Sequence, residues 1–296
     1  MRRNSLTLLL LLAVASGPIW LPPYELAVLT RALVQAMAAF GLAFLVNIAG
    51  MVSLGHAATL GFGAYAAGLA LAQGPANGWL VLLAGTLAAA LWGALTGLVT
   101  ARLRGLAFML ATLALGQVLS AIATGAWPLG GDDGLALAGD LVFLPRAVPQ
   151  PLFWTALGLL LLTGALFMAL ERAPLGLTLR GLQQDERRMA SLGIGALPAR
   201  LLALACASAA AGAAGVLQAD QIDFVSPALM DWTRSGELLA IVLVGRAWGW
   251  PGIFLAALGF TAAESELSRL TENWRLGFGL VLTLLALIAV RNQRQN

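Results

Sequence analysis

The chain has no lysine: its 17 basic residues are all arginine. A Gly-x-x-x-x-Gly-Lys-Ser/Thr phosphate loop needs a lysine to reach the β- and γ-phosphates, so any ATP hydrolysis must sit on another chain. A single cysteine, Cys206, excludes an intrachain disulfide and reads as a small buried hydrophobe in an apolar run. A single histidine, His56, lacks the partners that a metal site requires. Charged residues are scarce at 10%, against 60% hydrophobic, and mean hydropathy is +0.87. That balance excludes a soluble domain and points to a polytopic all-α membrane protein. No Ser/His/Asp or Cys/His arrangement is present, so no catalytic role and no metal or other cofactor is assigned to the chain. The net charge of +3 reports arginines in loops and does not indicate nucleic-acid binding.

A transmembrane helix takes about 20 apolar residues, which leaves almost no length for an extramembrane domain. The whole chain, 1–296, is therefore expected to form a single transmembrane domain in the lipid bilayer. Apolar runs predict about ten spans, near 5–21, 26–48, 53–73, 79–100, 105–126, 152–170, 200–218, 237–246, 251–264 and 275–290. The first run, preceded by Arg2 and Arg3 and followed by Ala13-Val14-Ala15, also resembles a secretory signal peptide. With the N-terminus inside, all arginines except Arg31, Arg146, Arg234, Arg269 and Arg275 fall on inner segments. Both termini are therefore expected in the cytoplasm. Two longer loops stand out. Residues 127–151, rich in Gly, Pro and Asp, are expected outside, and residues 171–199 inside. Within the inner loop, Leu179, Leu182, Met189 and Leu192 recur at near-helical intervals against Arg180, Gln183, Asp185, Arg187 and Arg188. The pattern suits a helix at the membrane surface that either presents polar groups to a cytosolic partner or only anchors the loop.

Glycines concentrate where span 53–73 begins, in Ser53-Leu54-Gly55-His56-Ala57-Ala58 and Gly61-Phe62-Gly63-Ala64-Tyr65. Two readings stand. The glycines interrupt the helix and free backbone groups for a polar solute, or they allow close helix packing. His56 is likewise either a satisfied structural group or a member of the transport path with Asn47, Ser53 and Tyr65. A second polar start to a helix runs from Phe224-Val225-Ser226-Pro227 to Ser235-Gly236-Glu237. It lies five spans later, an odd number, so two such halves would run in opposite directions as an inverted repeat. Glu237 can bind solute, pair with Arg234 or cap its helix. Asp132-Asp133 reads as a solvated turn, and Gln35, Thr112, Gln117 and Thr124 as hydrogen-bonding between helices. The candidate translocation set is Asn47, Ser53, Gly55, His56, Gly61, Gly63, Tyr65, Ser226 and Glu237.

Val52-Ser53-Leu54-Gly55-His56-Ala57-Ala58 followed by Gly61-Phe62-Gly63-Ala64-Tyr65 closely resembles the early motif of branched-chain amino-acid ABC transporter permeases of the LivM type. The likeness continues in order through Leu103-Arg104-Gly105, Thr112-Leu113-Ala114-Leu115-Gly116 and Gly130-Gly131-Asp132-Asp133-Gly134-Leu135. Gly176, Leu179-Arg180, Asp185-Glu186 and Ser191-Leu192-Gly193-Ile194 resemble the family's coupling segment. Ala210-Ala211-Gly212-Ala213-Ala214-Gly215, Ser226-Pro227 and Trp248-Gly249-Trp250-Pro251-Gly252 extend it over about residues 40–290. One departure is Arg246-Ala247-Trp248 after Gly245, where the family usually has Gly-Gly-x-Gly.

The resemblance implies a multi-pass protein of the bacterial inner membrane with a type II ABC importer-like architecture. It also implies a second permease subunit of LivH type, two cytosolic ATPases that hydrolyse ATP, and a periplasmic solute-binding protein. Arg180, Asp185, Glu186, Arg187, Gly193 and Ile194 are then the ATPase-coupling residues. A largely apolar path with few fixed charges suits leucine, isoleucine or valine, with urea or a short amide as the alternative solute. Outside this class stand an ion-coupled secondary transporter or channel, which would want an intramembrane carboxylate, and a membrane enzyme, which would want clustered catalytic groups.

Overall fold

A computed structural model of the chain describes residues 10–72, 74–100, 102–145, 147–270 and 279. After helical pieces at 10–15 and Gly17–Trp20 come α1 (Pro23–Phe44, prolonged by a π-helical turn Leu45–Ala49), α2 (His56–Leu71), α3 (Gly78–Thr100) and α4 (Gly105–Gly125). Then follow α5 (Pro151–Arg172), the short α6 (Pro174–Gln184) and α7 (Glu186–Ser191), α8 (Ala196–Ile222), α9 (Trp232–Gly245) and α10 (Gly249–Leu270). Among the described residues, six stretches are long and apolar enough to cross a membrane: Pro23–Ala49, Gly78–Thr100, Gly105–Gly125, Pro151–Arg172, Ala196–Ile222 and Trp232–Leu270. The last is not one rod: α9 and α10 pack on each other around a tight 246–249 turn. Of the ten expected spans, 275–290 lies outside the described residues, apart from Gly279.

α8 is the hub, packed against α1, α2 and α3. Its run from Ala207 to Leu217, Ala and Gly for the most part, is buried apart from the half-buried Ala209, so neighbouring backbones approach it closely. A Cβ on Gly41 would strike the carbonyl of Ala207, and one on Gly215 the backbone of Leu60 and Ala64. Lipid tails are as apolar as leucine, so this dispersion contact between small residues, not apolar burial, holds such helices together. The outward faces of α3 and α4 carry the leucines, among them Leu80, Leu83, Leu87, Leu91, Leu106 and Leu110, all exposed.

Two ends of the bundle can be told apart. At one end lie the π turn of α1, the 102–105 turn, α6, α7 and the start of α8. The 246–250 turn joins them through Trp250, whose indole Nε1 donates to Glu171 at 3.3 Å. At the other end the 126–150 segment is tied down by two short ladders. β1 (Ala76–Asn77) pairs in parallel with β3 (Leu141–Val142), and β2 (Leu135–Ala136) pairs antiparallel with β4 (Phe224–Val225). Asp220 adds a carboxylate that accepts from the Leu141 N–H at 2.7 Å.

Candidate functional site

The expected helix break is present but displaced. Gly61 and Gly63 lie inside the continuous α2, and the non-helical segment precedes it, from Gly50 to Gly55. α1 ends in its π turn, a wider coil that recurs at functional sites, and Gly50 closes it in the left-handed conformation at φ 67°. At about 1.5 Å per residue, the 16 residues of α2 and the 14 of α9 reach only about 24 and 21 Å, short of a hydrocarbon core about 30 Å thick. Backbone outside the α-helices supplies the remaining depth: the irregular 50–55 ahead of α2, and 223–231, made of β4 and a 3-10 turn at Pro227–Met230, ahead of α9. Because lipid cannot satisfy such backbone, protein must cover it. Leu54 N–H donates to Thr112 Oγ1 at 3.2 Å, and Ala57 N–H donates to Ser235 Oγ at 2.9 Å.

His56, 2% exposed, brings its Nε2 within 3.2 Å of the Ala38 carbonyl. A carbonyl can only accept, so Nε2 carries the proton and the ring ties the start of α2 to α1. Gly55 packs on the backbone of Thr112, Gly63 on that of Gly212, and Gly61 on the Met230 side chain. Ser53 is buried and Ser226 half-buried, while Asn47 is exposed. Tyr65 buries a hydroxyl that has no hydrogen-bond partner among the described residues. The candidate translocation set is thus split between a close-packed seam and its flanks. Glu237 alone reaches a different place.

That place is a cavity of about 70 Å³ between α1, α2, α8, α9 and α10, lined by Arg31, Gln35, Gln218, Arg234, Glu237 and Glu264 with Val34, Leu60, Leu229 and Leu238. Glu237 neither caps nor stands alone: Asp231 caps α9 through the Thr233 N–H, and Glu237 pairs with Arg234 at 2.8 Å. Glu264 lies 3.5 Å from Arg31 and 3.6 Å from Arg234. Arg31 also donates to Ser265 Oγ at 2.8 Å, and Thr261 donates to Gln35 at 2.6 Å. In the sequence Arg31 and Arg234 read as orientation signals, and Glu264 carries no signal of its own. The usable signal was that all four charges fall in or against apolar runs on helices that a compact bundle must bring together.

At the α6–α7 end, the single surface helix expected from 177 to 192 is two helices. Asp185 interrupts it by accepting from the Arg187 and Arg188 N–H groups as the N-cap of α7. Leu179 and Leu182 are buried and Met189 is half-buried as expected, but Leu192 is exposed. Glu186 faces inward between Arg104 at 2.8 Å and Arg200 at 2.6 Å. Arg180 pairs with Glu171. Arg187, Arg188 and Gly193 are exposed and Ile194 half-buried. α6 packs on the π turn of α1, where a Cβ on Gly50 would meet the Gln183 side chain at 2.6 Å.

The family model for the branched-chain amino acid transport system / permease component matches residues 25–290. The chain belongs to that family. It is 27% identical over 306 aligned positions to the high-affinity branched-chain amino acid transport system permease protein LivM of Escherichia coli (strain K12), covering 95% of this chain and 72% of the relative. It is 26% identical over 310 positions to the protein of the same name from Salmonella typhimurium (strain LT2), covering 96% and 73%. No solved structure matches the chain.

As a member of this family, the permease is a multi-pass membrane transport component and not an enzyme. Its departure at Arg246 is accommodated locally: Arg246 has right-handed φ −57°, and Gly249 takes the positive φ of 69°. Gly245 is held by contact instead, since a Cβ there would lie 2.5 Å from Ile253 Cα. Of the residues expected to hydrogen-bond between helices, Gln35 does so with Thr261 of α10, while Thr112 accepts from Leu54 in the non-helical segment ahead of α2. Thr124 bonds within α4 to the Ser120 carbonyl, and Gln117 Nε2 is buried without a partner among the described residues.

Proposed function

We propose that this permease forms, with a second permease subunit of LivH type, the membrane path of an ATP-driven importer for branched-chain amino acids. The observation that carries the reading is the family match over nearly the whole chain. Two cytosolic ATPases would dock on the α6–α7 end and supply the ATP hydrolysis, and a periplasmic binding protein would deliver solute to the end carrying the 126–150 segment. Both termini would then lie in the cytoplasm of a bacterial cell, in an inner-membrane protein of about ten spans.

The short helices α2 and α9 support an inverted repeat: each follows a stretch without α-helix, and the two stretches come from opposite ends of the bundle. Coupling follows from contact. α6 rests on the π turn that leads into 50–55, so displacement of α6 by an ATPase moves the irregular segment and, through Ala57 and Ser235, the start of α9. Arg180, Asp185, Glu186, Arg187, Gly193 and Ile194 serve this coupling, Asp185 by capping α7 and Glu186 by holding it against Arg104 and Arg200. Asn47, Ser53, Gly55, His56, Gly61, Gly63, Tyr65, Ser226 and Glu237 set the path and its hinge.

The test is reconstitution of the complete importer in proteoliposomes. ATP-dependent uptake of leucine, isoleucine and valine is expected. Uptake of urea in preference to leucine would overturn the solute, and uptake driven by an ion gradient without ATP would overturn the importer itself.

A further inference from the structure

Two guanidiniums and two carboxylates meet in the cavity between α1, α2, α8, α9 and α10. Among the described residues these charges cancel, which suits a dipolar guest and no net ion. Arg31 lies eight residues into α1, about 12 Å along its axis, a depth at which ionisable groups are costly and mark function by default. The pairing is also incomplete in a particular way. Charge-assisted hydrogen bonds run about 2.7–2.9 Å, and among the described ion pairs of the cavity Arg234–Glu237, at 2.8 Å, falls in that range. Glu264 stands between two guanidiniums at 3.5 and 3.6 Å and closes on neither. Arg31 is held in place by Ser265 and the Thr261 carbonyl, both on α10. Beside these charges stand Val34, Leu60, Leu229 and Leu238. The cavity of about 70 Å³ compares with the roughly 10–15 Å³ that one water needs, so it has room for several waters that a guest would displace.

We propose that this cluster is a binding site for a zwitterionic amino acid on its way through the permease: Arg31 and Arg234 take the α-carboxylate, Glu264 takes the α-ammonium, and the leucine and valine wall takes the aliphatic side chain. The assignment rests on the import reading above and adds the residues that recognise the solute. Unlike the glycine seam, the cavity joins charged, amide and aliphatic groups around free space. An aliphatic amino acid presents the same two kinds of surface.

The test uses the complete reconstituted importer supplied with leucine-loaded binding protein. Arg31→Gln with Glu264→Gln removes both charges together and leaves no new unpaired ion in that pair. Leucine uptake per assembled complex is expected to fall at least about tenfold, the order expected for losing a charged hydrogen-bonding pair. In a Cys206→Ala background, Gln35→Cys should react with a cationic thiol reagent more slowly when loaded binding protein is present than with the empty one. Uptake per complex within twofold of the parent, or labelling indifferent to leucine, overturns the site and leaves a structural brace. If the double variant does not assemble, Glu264→Asp, which keeps the charge but draws it back, is judged by the same two criteria. A parent complex that moves no leucine sinks the import reading instead, so the two failures are distinguishable.

Discussion

One side of α2 presses into α8 and the other side borders the charged cavity, and the two regions are built from opposite materials. In the seam, Gly63 meets Gly212 and Gly215 meets Leu60, backbone against backbone, with no volume left over. In the cavity, long charged side chains from α1, α9 and α10 hold their helices apart and leave space between them. Small residues let helices close; paired charges keep a gap open and fill it with fixed dipoles. A cluster of glycines near the membrane centre is therefore a sign of contact, and room for a solute is better sought where apolar helices retain charge.

The seam gives the largest expected effect. At Gly63 any side chain meets the Gly212 backbone, which cannot swing aside, so Gly63→Leu should exceed the usual overpacking cost of about 1–3 kcal/mol and abolish the folded permease. Gly61→Leu meets only the flexible Met230 side chain and should accumulate substantially. Membrane-extracted protein measured by size-exclusion chromatography separates them. Comparable yields of the two variants would remove the distinction between a rigid and a yielding contact.

In the cavity the contrast is between breaking a pair and deleting one. Glu264→Ala leaves Arg31 without its carboxylate and Arg234 with Glu237 alone, and orphaning a buried charge costs about 3–5 kcal/mol. Part of that is screened, because the arginines are only half-buried. Arg31→Gln with Glu264→Gln should unfold at a midpoint nearer the parent's. Thermal unfolding of the purified permease in detergent checks the order. If Glu264→Ala is the more stable of the two, the ion pairs contribute nothing to the fold.

Much of the architecture could be read from residues alone, because span length and hydropathy are one-dimensional properties: Gly78–Thr100 and Pro151–Arg172 depart from their expected limits by no more than two residues. The hinge was readable as a place but not as a geometry. Gly55 and His56 announced irregular backbone, yet whether the break fell before or after Gly61 depended on what Thr112 and Ser235 offered from other helices. The cavity was the least readable, since Arg31 and Glu264 are separated by most of the chain and each alone fits a loop-proximal charge. The partners of Glu186 were unreadable for a related reason: its local pattern is that of a surface charge, and the fold brings Arg104 and Arg200 to it.

A smaller effect is expected at that clamp. Glu186→Gln weakens two charge-assisted bonds at a partly exposed site, costing about 1 kcal/mol, so the permease should assemble. With α7 less firmly held, ATP hydrolysed per leucine imported should rise severalfold. Simultaneous measurement of phosphate release and uptake is required, and an unchanged ratio would remove α7 from the coupling path.

The smallest effect is expected at the turn where Arg246 stands in place of the family's usual glycine. Arg246 is exposed, sits at φ −57° and ψ −28°, and opens the turn that joins α9 to α10. That conformation is open to any residue, so the arginine is not strained, and glycine there would gain freedom only in the unfolded chain. Arg246→Gly should therefore shift stability by less than about 1 kcal/mol and leave uptake unaltered. Gly249, three residues on, is the control: at φ 69° and ψ −152° it occupies a region closed to side chains, and Gly249→Ala should cost about 1–3 kcal/mol. Unfolding midpoints of the two single variants decide it. A larger loss at Arg246 than at Gly249 would mean that the cation makes a contact on which the turn depends.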